Sequence, residues 1–330
     1  MIDPEAPVND PAEFVGQAGL TRRVLSRVGA ERPQSVAVIG GLKSGKTSLI
    51  SYLSTPEVAF QYIDAIDKYV FLSFRANGEM TDEPDSFLTR FIEELPRGTA
   101  AGESYYEEFH KRIESLHLSD QRLIVFLDDF HFITSNDHFP LEFFSFLRSM
   151  ANNYNLAYVT TSLLELQKLC VAKEVQESPF FNIFTNMHIG MLSHEDAVLL
   201  FLRVSRADES RARAVVKWCG GSPYLLKKVA ALLETEKTAN TFTDKEFEKL
   251  FFPVFEPYFK DVVSLLPPEA FKPLQAVSQG KAPSPSDDYQ LSSLVKQGFL
   301  LEGEDGISCY SPAFALFLRK CLSLRLLKGK

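Results

Sequence analysis

Residues 40–47 read Gly40-Gly41-Leu42-Lys43-Ser44-Gly45-Lys46-Thr47, directly after the apolar run Val36-Ala37-Val38-Ile39. The glycines let the backbone curl until successive N–H groups point into one anion-sized hollow. The helix expected over Ser48-Leu49-Ile50-Ser51-Tyr52-Leu53 adds its positive dipole end to that hollow. Strand, glycine-rich turn and helix in this order are the setting of a Walker A phosphate loop. Gly40, Gly41, Leu42, Lys43, Ser44, Gly45 and Ser48 would then wrap the phosphates of a nucleotide. Lys46 would reach the β- and γ-phosphates, and the Thr47 hydroxyl would ligate Mg²⁺.

A second cluster closes the run Leu123-Ile124-Val125-Phe126-Leu127-Asp128-Asp129. Asp128 sits where a Walker B aspartate belongs and would hold Mg²⁺ through water, opposite Thr47. Asp129 either polarises the water that attacks the γ-phosphate, which makes it a catalytic candidate beside Lys46, or caps a turn. An aspartate is one methylene shorter than the glutamate common in vigorous ATPases, which points to slow turnover. Thr160, Thr161 and Ser162 end another strand, where a hydroxyl could sense the γ-phosphate or simply begin a loop; both readings stand. His131, between Phe130 and Phe132, could contact nucleotide or a neighbour, but a lone histidine in that setting is read first as a packed loop residue. The sequence has no Asn-Lys-x-Asp, so nothing supports a guanine-reading site.

These residues need a scaffold that brings them together. An amphipathic helix carrying Leu20, Val24, Leu25 and Val28 precedes the first strand. Further strands are expected at Tyr69–Phe74, Leu123–Asp129, Leu156–Ser162 and, shorter, Met187–Met191, with helices at 85–95, within 97–120 after a flexible Arg-Gly-Thr-Ala-Ala-Gly stretch, and at 141–152. Strands alternating with helices mean a parallel sheet with right-handed crossovers, hence a three-layer α/β fold. Ligands in such folds gather at the C-terminal strand ends, where all three polar clusters lie.

From Ser193 the pattern is helical. Ser193 reads as an N-cap, helices follow over 211–219 and from Pro223 to about Leu233, and Gly220-Gly221 separates them. Pro223 at a first helical turn is ordinary helix grammar. After a Thr-rich linker, helices near 254–266, 268–278 and 289–297 precede two short strands around Gly303–Gly306, the element order of a winged helix. The expected units are therefore a flexible 1–12, a nucleotide-binding α/β unit 13–192, a helical lid 193–246 and a winged helix 247–330.

The chain has 330 residues, 45% hydrophobic and 24% charged, with a formal net charge of −8. That balance argues against sequence-independent nucleic-acid binding, although Arg319, Lys320, Arg325, Lys328 and Lys330 make a small basic stripe. Cys170, Cys219, Cys309 and Cys321 are scattered without metal-ligand spacing. No signal peptide or membrane-spanning run is visible, so a cytoplasmic protein is expected.

The order of motifs from about Phe14 to Lys320 resembles the STAND class of P-loop ATPases, close relatives of AAA+ proteins. Phe14-Val15-Gly16-Gln17 is similar to the short motif that folds over adenine in these proteins, which marks Val15 and Gly16 as nucleotide-binding. Val159-Thr160-Thr161-Ser162 resembles the sensor 1 strand and marks Thr161. Gly221-Ser222-Pro223-Tyr224-Leu225 resembles the lid motif whose proline touches the nucleotide, which raises Pro223 to a site candidate. Two positions depart from the pattern: Gln17 and Ser162 stand where family members usually or often carry arginine.

The resemblance implies a switch that holds ADP when closed, exchanges it for ATP, and opens to recruit a protein partner or to oligomerise, with slow Mg²⁺-dependent hydrolysis of ATP to ADP and phosphate. An initiator- or loader-type AAA+ ATPase that grips DNA with its winged helix is the alternative. A protein holding ATP as a structural cofactor is a third reading. Arg112, Arg122 and Arg203 are possible arginine-finger donors.

Overall fold

The computed structural model describes residues 2–96, 102–235, 243–304 and 306–321. The Arg-Gly-Thr-Ala-Ala part of the 97–102 stretch, most of the Thr-rich linker, and Arg325, Lys328 and Lys330 lie outside the described residues.

Five strands form one parallel sheet: β1 (Val36–Ile39), β2 (Tyr69–Arg75), β3 (Arg122–Asp128), β4 (Leu156–Ser162) and β5 (Thr185–His188), in the order β2-β3-β4-β1-β5. β1, β3 and β4 are buried almost throughout, as strands covered on both faces must be, which is why they read as unbroken apolar runs. Alternation still sorts their side chains. Leu123, Val125 and Leu127 of β3 pack with the helices Pro84–Glu94, Tyr105–Leu118 and Leu141–Asn153. Ile124 and Phe126 pack on the opposite face, with the helices Ala18–Val28 and Lys46–Leu53. Phenylalanines dominate the first of these layers: Phe87 meets Phe143 edge-on at 5.2 Å and Phe91 meets Phe109 at 5.8 Å.

β5 runs over Thr185–His188, shifted upstream of the expected Met187–Met191. It pairs with β1, which ends at Ile39, and beyond His188 the chain turns toward the phosphate loop instead of extending the ladder.

The helical region begins as read. The Ser193 hydroxyl accepts from the Asp196 amide at the head of helix His194–Val204, and helices Glu209–Cys219 and Pro223–Thr235 follow. Gly220 and Gly221 are dictated by packing. A Cβ on Gly220, at φ +61°, would lie 2.2 Å from the Tyr310 carbonyl oxygen, and one on Gly221 would lie 2.1 Å from that of Leu192.

The next helix is longer than its apolar pattern suggests, Asp244–Ser264 in place of 254–266, with Pro253 and Pro257 inside it. A capping box between Thr243 and Glu246 starts it, and Phe247, Phe251, Phe255 and Phe259 at four-residue spacing are all buried. That apolar stripe offsets the backbone hydrogen bonds the two prolines remove. Helices Phe271–Ser278 and Asp288–Lys296, the antiparallel pair β6 (Leu300–Gly303) and β7 (Gly306–Cys309), and helix Pro312–Cys321 complete the described chain. One hydrophobic core runs from Val15 and Leu192 through the helices His194–Val204, Glu209–Cys219 and Pro223–Thr235 to Phe314 and Leu318. Trp218 stacks on Phe247 at 4.9 Å within it. No helix among the described residues is long and apolar enough to cross a membrane.

Candidate nucleotide-binding site

Because all five strands point the same way, Gly40, Arg75, Asp128 and Ser162 emerge at one edge of the sheet. The Gly40 amide donates to the Ser162 carbonyl at 3.1 Å, which anchors the start of the phosphate loop on β4. Lys43 at φ +55° and Gly45 at φ +94° supply the left-handed turns that curl it. Lys46 heads the following helix and folds back, its Nζ donating to the Gly40 and Gly41 carbonyls at 2.8 Å each. Burial pushes this amine down to about 8, against the opposing pull of Asp129 and Asp128. The Ser44 hydroxyl is buried without a hydrogen-bond partner. A half-satisfied cation, an orphaned hydroxyl and curled amides are what a phosphate chain would complete.

Thr47 and Thr161 bracket Asp128. The Thr47 hydroxyl donates to Asp128 Oδ2 at 2.7 Å and the Thr161 hydroxyl to Oδ1 at 2.6 Å. Thr161 Oγ1 also accepts from the Asp129 amide at 2.8 Å, and Asp129 adopts φ +56° there. Thr161 is thus the wired member of its cluster, whereas the Thr160 hydroxyl is buried without a partner and the Ser162 hydroxyl donates to the Leu164 carbonyl. The paired hard oxygens of Thr47 and Asp128 suit Mg²⁺ with its water shell. No group of three or more His, Cys, Asp or Glu able to hold a metal occurs among the described residues. A few protein oxygens plus phosphates is the usual way Mg²⁺ is held.

Sequence reasoning missed Arg75. It ends β2, paired in register with Asp128, and its guanidinium donates to Asp129 Oδ2 at 3.1 Å from Nη2 and 3.3 Å from Nε. Its place at a strand end was the available signal, but only the sheet order shows that β2 neighbours β3. His131 lines the same cleft as Arg75 and Asp129, next to Phe132. Burial lowers its pKa, and Nδ1 lacks a partner, so it faces the site rather than only packing a loop.

On the other side of the loop, Val15, Gln17, Ile189, Leu192 and Pro223 line a small apolar cavity of about 50 Å³. Gly16 takes φ +78° beside Leu192 and Asp196, and Gln17 donates its side-chain amide to the Gly190 carbonyl at 2.8 Å. Pro223 lines both this cavity and the larger cleft of about 310 Å³ that holds Lys46, Thr47, Arg75 and Asp129. Tyr258, from the long helix Asp244–Ser264, donates its hydroxyl to the Leu42 carbonyl at 3.2 Å and so ties that helix to the phosphate loop. It too escaped the sequence reading.

The sequence model of the novel STAND NTPase 2 family matches residues 30–221, more than half of the chain, and spans β1 to the Gly220-Gly221 pair. The chain belongs to this family. Among solved structures, a Walker-type ATPase of Pyrococcus abyssi superposes with a TM-score of 0.62 at 13% identity, over 96% of this chain and 99% of that one. The Aeropyrum pernix ORC2 protein, in its ADPNP-ADP complexes, superposes with a TM-score of 0.55 at 11% identity, over 98% of this chain and 97% of that one. At such identities the likeness is one of fold, and it extends through the helical C-terminal region. No curated protein sequence matches the chain.

This STAND NTPase is a P-loop protein of the AAA+-related class. Gln17 and Ser162 are uncharged, and Arg75 joins Lys46 as a cation beside the carboxylate pair. The three arginine-finger candidates all have partners within the chain. Arg112 binds Glu108 and the Ile92 and Leu95 carbonyls, Arg122 lies over the Tyr69 ring, and Arg203 donates to the Ala12 carbonyl.

Proposed function

We propose that the chain is a nucleotide-operated switch that binds ATP or ADP with Mg²⁺, hydrolyses ATP slowly, and turns its nucleotide state into recruitment of a protein partner or of further copies of itself. The observation that carries this reading is that Lys46 and Thr47 of the phosphate loop, Asp129 beyond β3, and Pro223 and Tyr224 of the lid line one cleft. A lid that shares the cleft responds to what fills it, and its core is continuous with the C-terminal helices.

Bound ATP would supply the phosphoanhydride bond, with Mg²⁺ offsetting its charge. Lys46 would exchange the Gly40 and Gly41 carbonyls for phosphate oxygens, and Thr47 and Asp128 would hold the ion. Asp129 would accept a hydrogen bond from the attacking water and orient it. Thr161 sets the Asp128 carboxylate and the Asp129 backbone at once, the role of a sensor. Arg75 draws the Asp129 carboxylate into an ion pair, and a base so engaged supports slow turnover. Within this reading residues 13–192 are the nucleotide-binding unit, 193–246 the lid and 247–330 a winged helix, acting in the cytoplasm.

A DNA-gripping role gains little from the described part of the basic stripe. Arg319 donates to the Ser278 carbonyl at 2.7 Å, and Lys320 pairs with Glu248 and lies over the Phe252 ring.

Size-exclusion chromatography with light scattering, in ADP and in a non-hydrolysable ATP analogue, tests the switch. A monomer in ADP that assembles in the analogue is expected. A size indifferent to nucleotide, with no partner retained in either state, would sink it. Lys46→Ala should lose nucleotide binding; if binding survives, the site assignment is wrong.

A further inference from the structure

Residues before the first helix lie in the site. Pro4, Glu5, Ala6 and Pro7 line the cleft beside Lys43, Lys46, Thr47 and Asp129, and Val8 lines the smaller apolar cavity beside Val15 and Pro223. The segment is tied to both walls. On the phosphate-loop side, Glu5 forms an ion pair with Lys43, and the Val8 amide donates to the Ser48 hydroxyl at 2.9 Å. On the lid side, Lys227 donates to the Ala6 carbonyl at 3.0 Å, Tyr224 hydrogen-bonds the Glu5 carboxylate, and the Ile2 amide donates to Glu234 at 3.2 Å.

Chemistry makes this segment a competitor of nucleotide. Glu5 sets a carboxylate against a phosphate-loop lysine, an anion where a ligand's anion would be drawn. The prolines at 4 and 7 stiffen the segment, so ordering it across the cleft costs less entropy than a flexible one would.

We propose that Asp3–Val8 is a built-in strap that lines the nucleotide cleft, clamps the lid to the phosphate loop through Glu5, Ala6 and Val8, and must withdraw before a nucleotide seats. The inference rests on the nucleotide-binding reading above and adds its regulation: whatever draws the strap away promotes loading and frees the lid in one step. An exposed ion pair and single hydrogen bonds hold it, so the clamp is weak enough for a ligand or partner to open.

The test uses the full chain. Isothermal titration with Mg²⁺-ADP and with a non-hydrolysable Mg²⁺-ATP analogue is run on the wild type and on Glu5→Ala, and hydrogen exchange of the wild type is followed at the Glu5, Ala6 and Val8 amides. Glu5→Ala should bind about two- to fivefold more tightly, the range an exposed ion pair supports. Saturating nucleotide should speed exchange of the wild-type strap. Binding with equal affinity in both proteins and unchanged exchange would overturn the strap alone. Slower exchange on loading would also overturn it, because the segment would then close over the ligand. No binding by either folded protein would overturn the nucleotide reading, and the strap with it.

Discussion

Raising the pH is expected to strip the proton from Lys46 in the free protein while a loaded site keeps it. In the free cleft the ammonium has two backbone carbonyls at 2.8 Å for company, and burial pushes it from the usual 10.5 down to about 8. The difference corresponds to about 3 kcal/mol at pH 7, carried as a cost by the free fold. Because the folded value lies below the unfolded one, stability should rise with pH between about 8 and 10.5. Binding should run the other way. Phosphate oxygens beside Nζ restore at least the ordinary value, so at pH 9 the free amine is about one-tenth protonated and the loaded one nearly fully so. Binding would then take up about 0.9 proton, and affinity at pH 9 would be about tenfold weaker than at pH 7. Isothermal titration at pH 9 in two buffers of different ionisation enthalpy reads the uptake directly, with pH 7 as the control where Lys46 takes up only about 0.1 proton. Denaturation of wild type and Lys46→Met across the same range supplies the stability arm: wild type should gain on the variant as pH rises. Absent uptake at pH 9, or proton release, would refute this account of Lys46.

Arg75→Ala removes the cation that draws Asp129 aside, and basal ATP hydrolysis should rise about two- to fivefold in a phosphate-release assay. A fall instead would make Arg75 a direct partner of the phosphates. Thr161→Val keeps the shape but leaves the Asp129 amide and Asp128 Oδ1 short of a partner in a fully buried place. Chemical denaturation should show a loss of about 1–3 kcal/mol, and Mg²⁺-dependent nucleotide affinity should drop with it. Gly221→Ala drives a Cβ to within 2.1 Å of the Leu192 oxygen and should cost about 1–3 kcal/mol or more, whereas Gly41→Ala meets nothing within 4 Å and should leave the melting temperature unchanged. Equal effects of the two glycine changes would contradict the packing argument. Tyr258→Phe should weaken the coupling of the helix Asp244–Ser264 to the phosphate loop, seen as faster exchange of the loop amides in the free protein, with no change of fold by circular dichroism.

What the sequence determined is whatever is written in short stretches. The run from Val36 to Leu53 specifies strand, anion-binding turn and helix within one span, because glycine, lysine and threonine at those spacings leave the backbone few alternatives. Asp128 at the end of a buried strand, Ser193 as a cap, and Gly220 closing a helix are equally local. Tertiary structure decided how these pieces meet. β2 neighbours β3, and that order alone puts Arg75 on Asp129. Thr161 and not Thr160 carries the bonds to the carboxylate pair, because alternation along β4 sends neighbouring side chains to opposite faces. The helix over 244–264 starts a full ten residues before the sequence reading places it and runs through Pro253, because four buried phenylalanines outweigh the lost backbone hydrogen bond. Pro4 to Val8 read as a loose tail for want of an apolar pattern, yet Lys43, Ser48, Tyr224 and Lys227 hold the segment across the cleft. Single hydrogen bonds between residues far apart in the chain leave no periodic trace in composition or pattern; they exist only once the crossovers and the helices after Ser193 have packed.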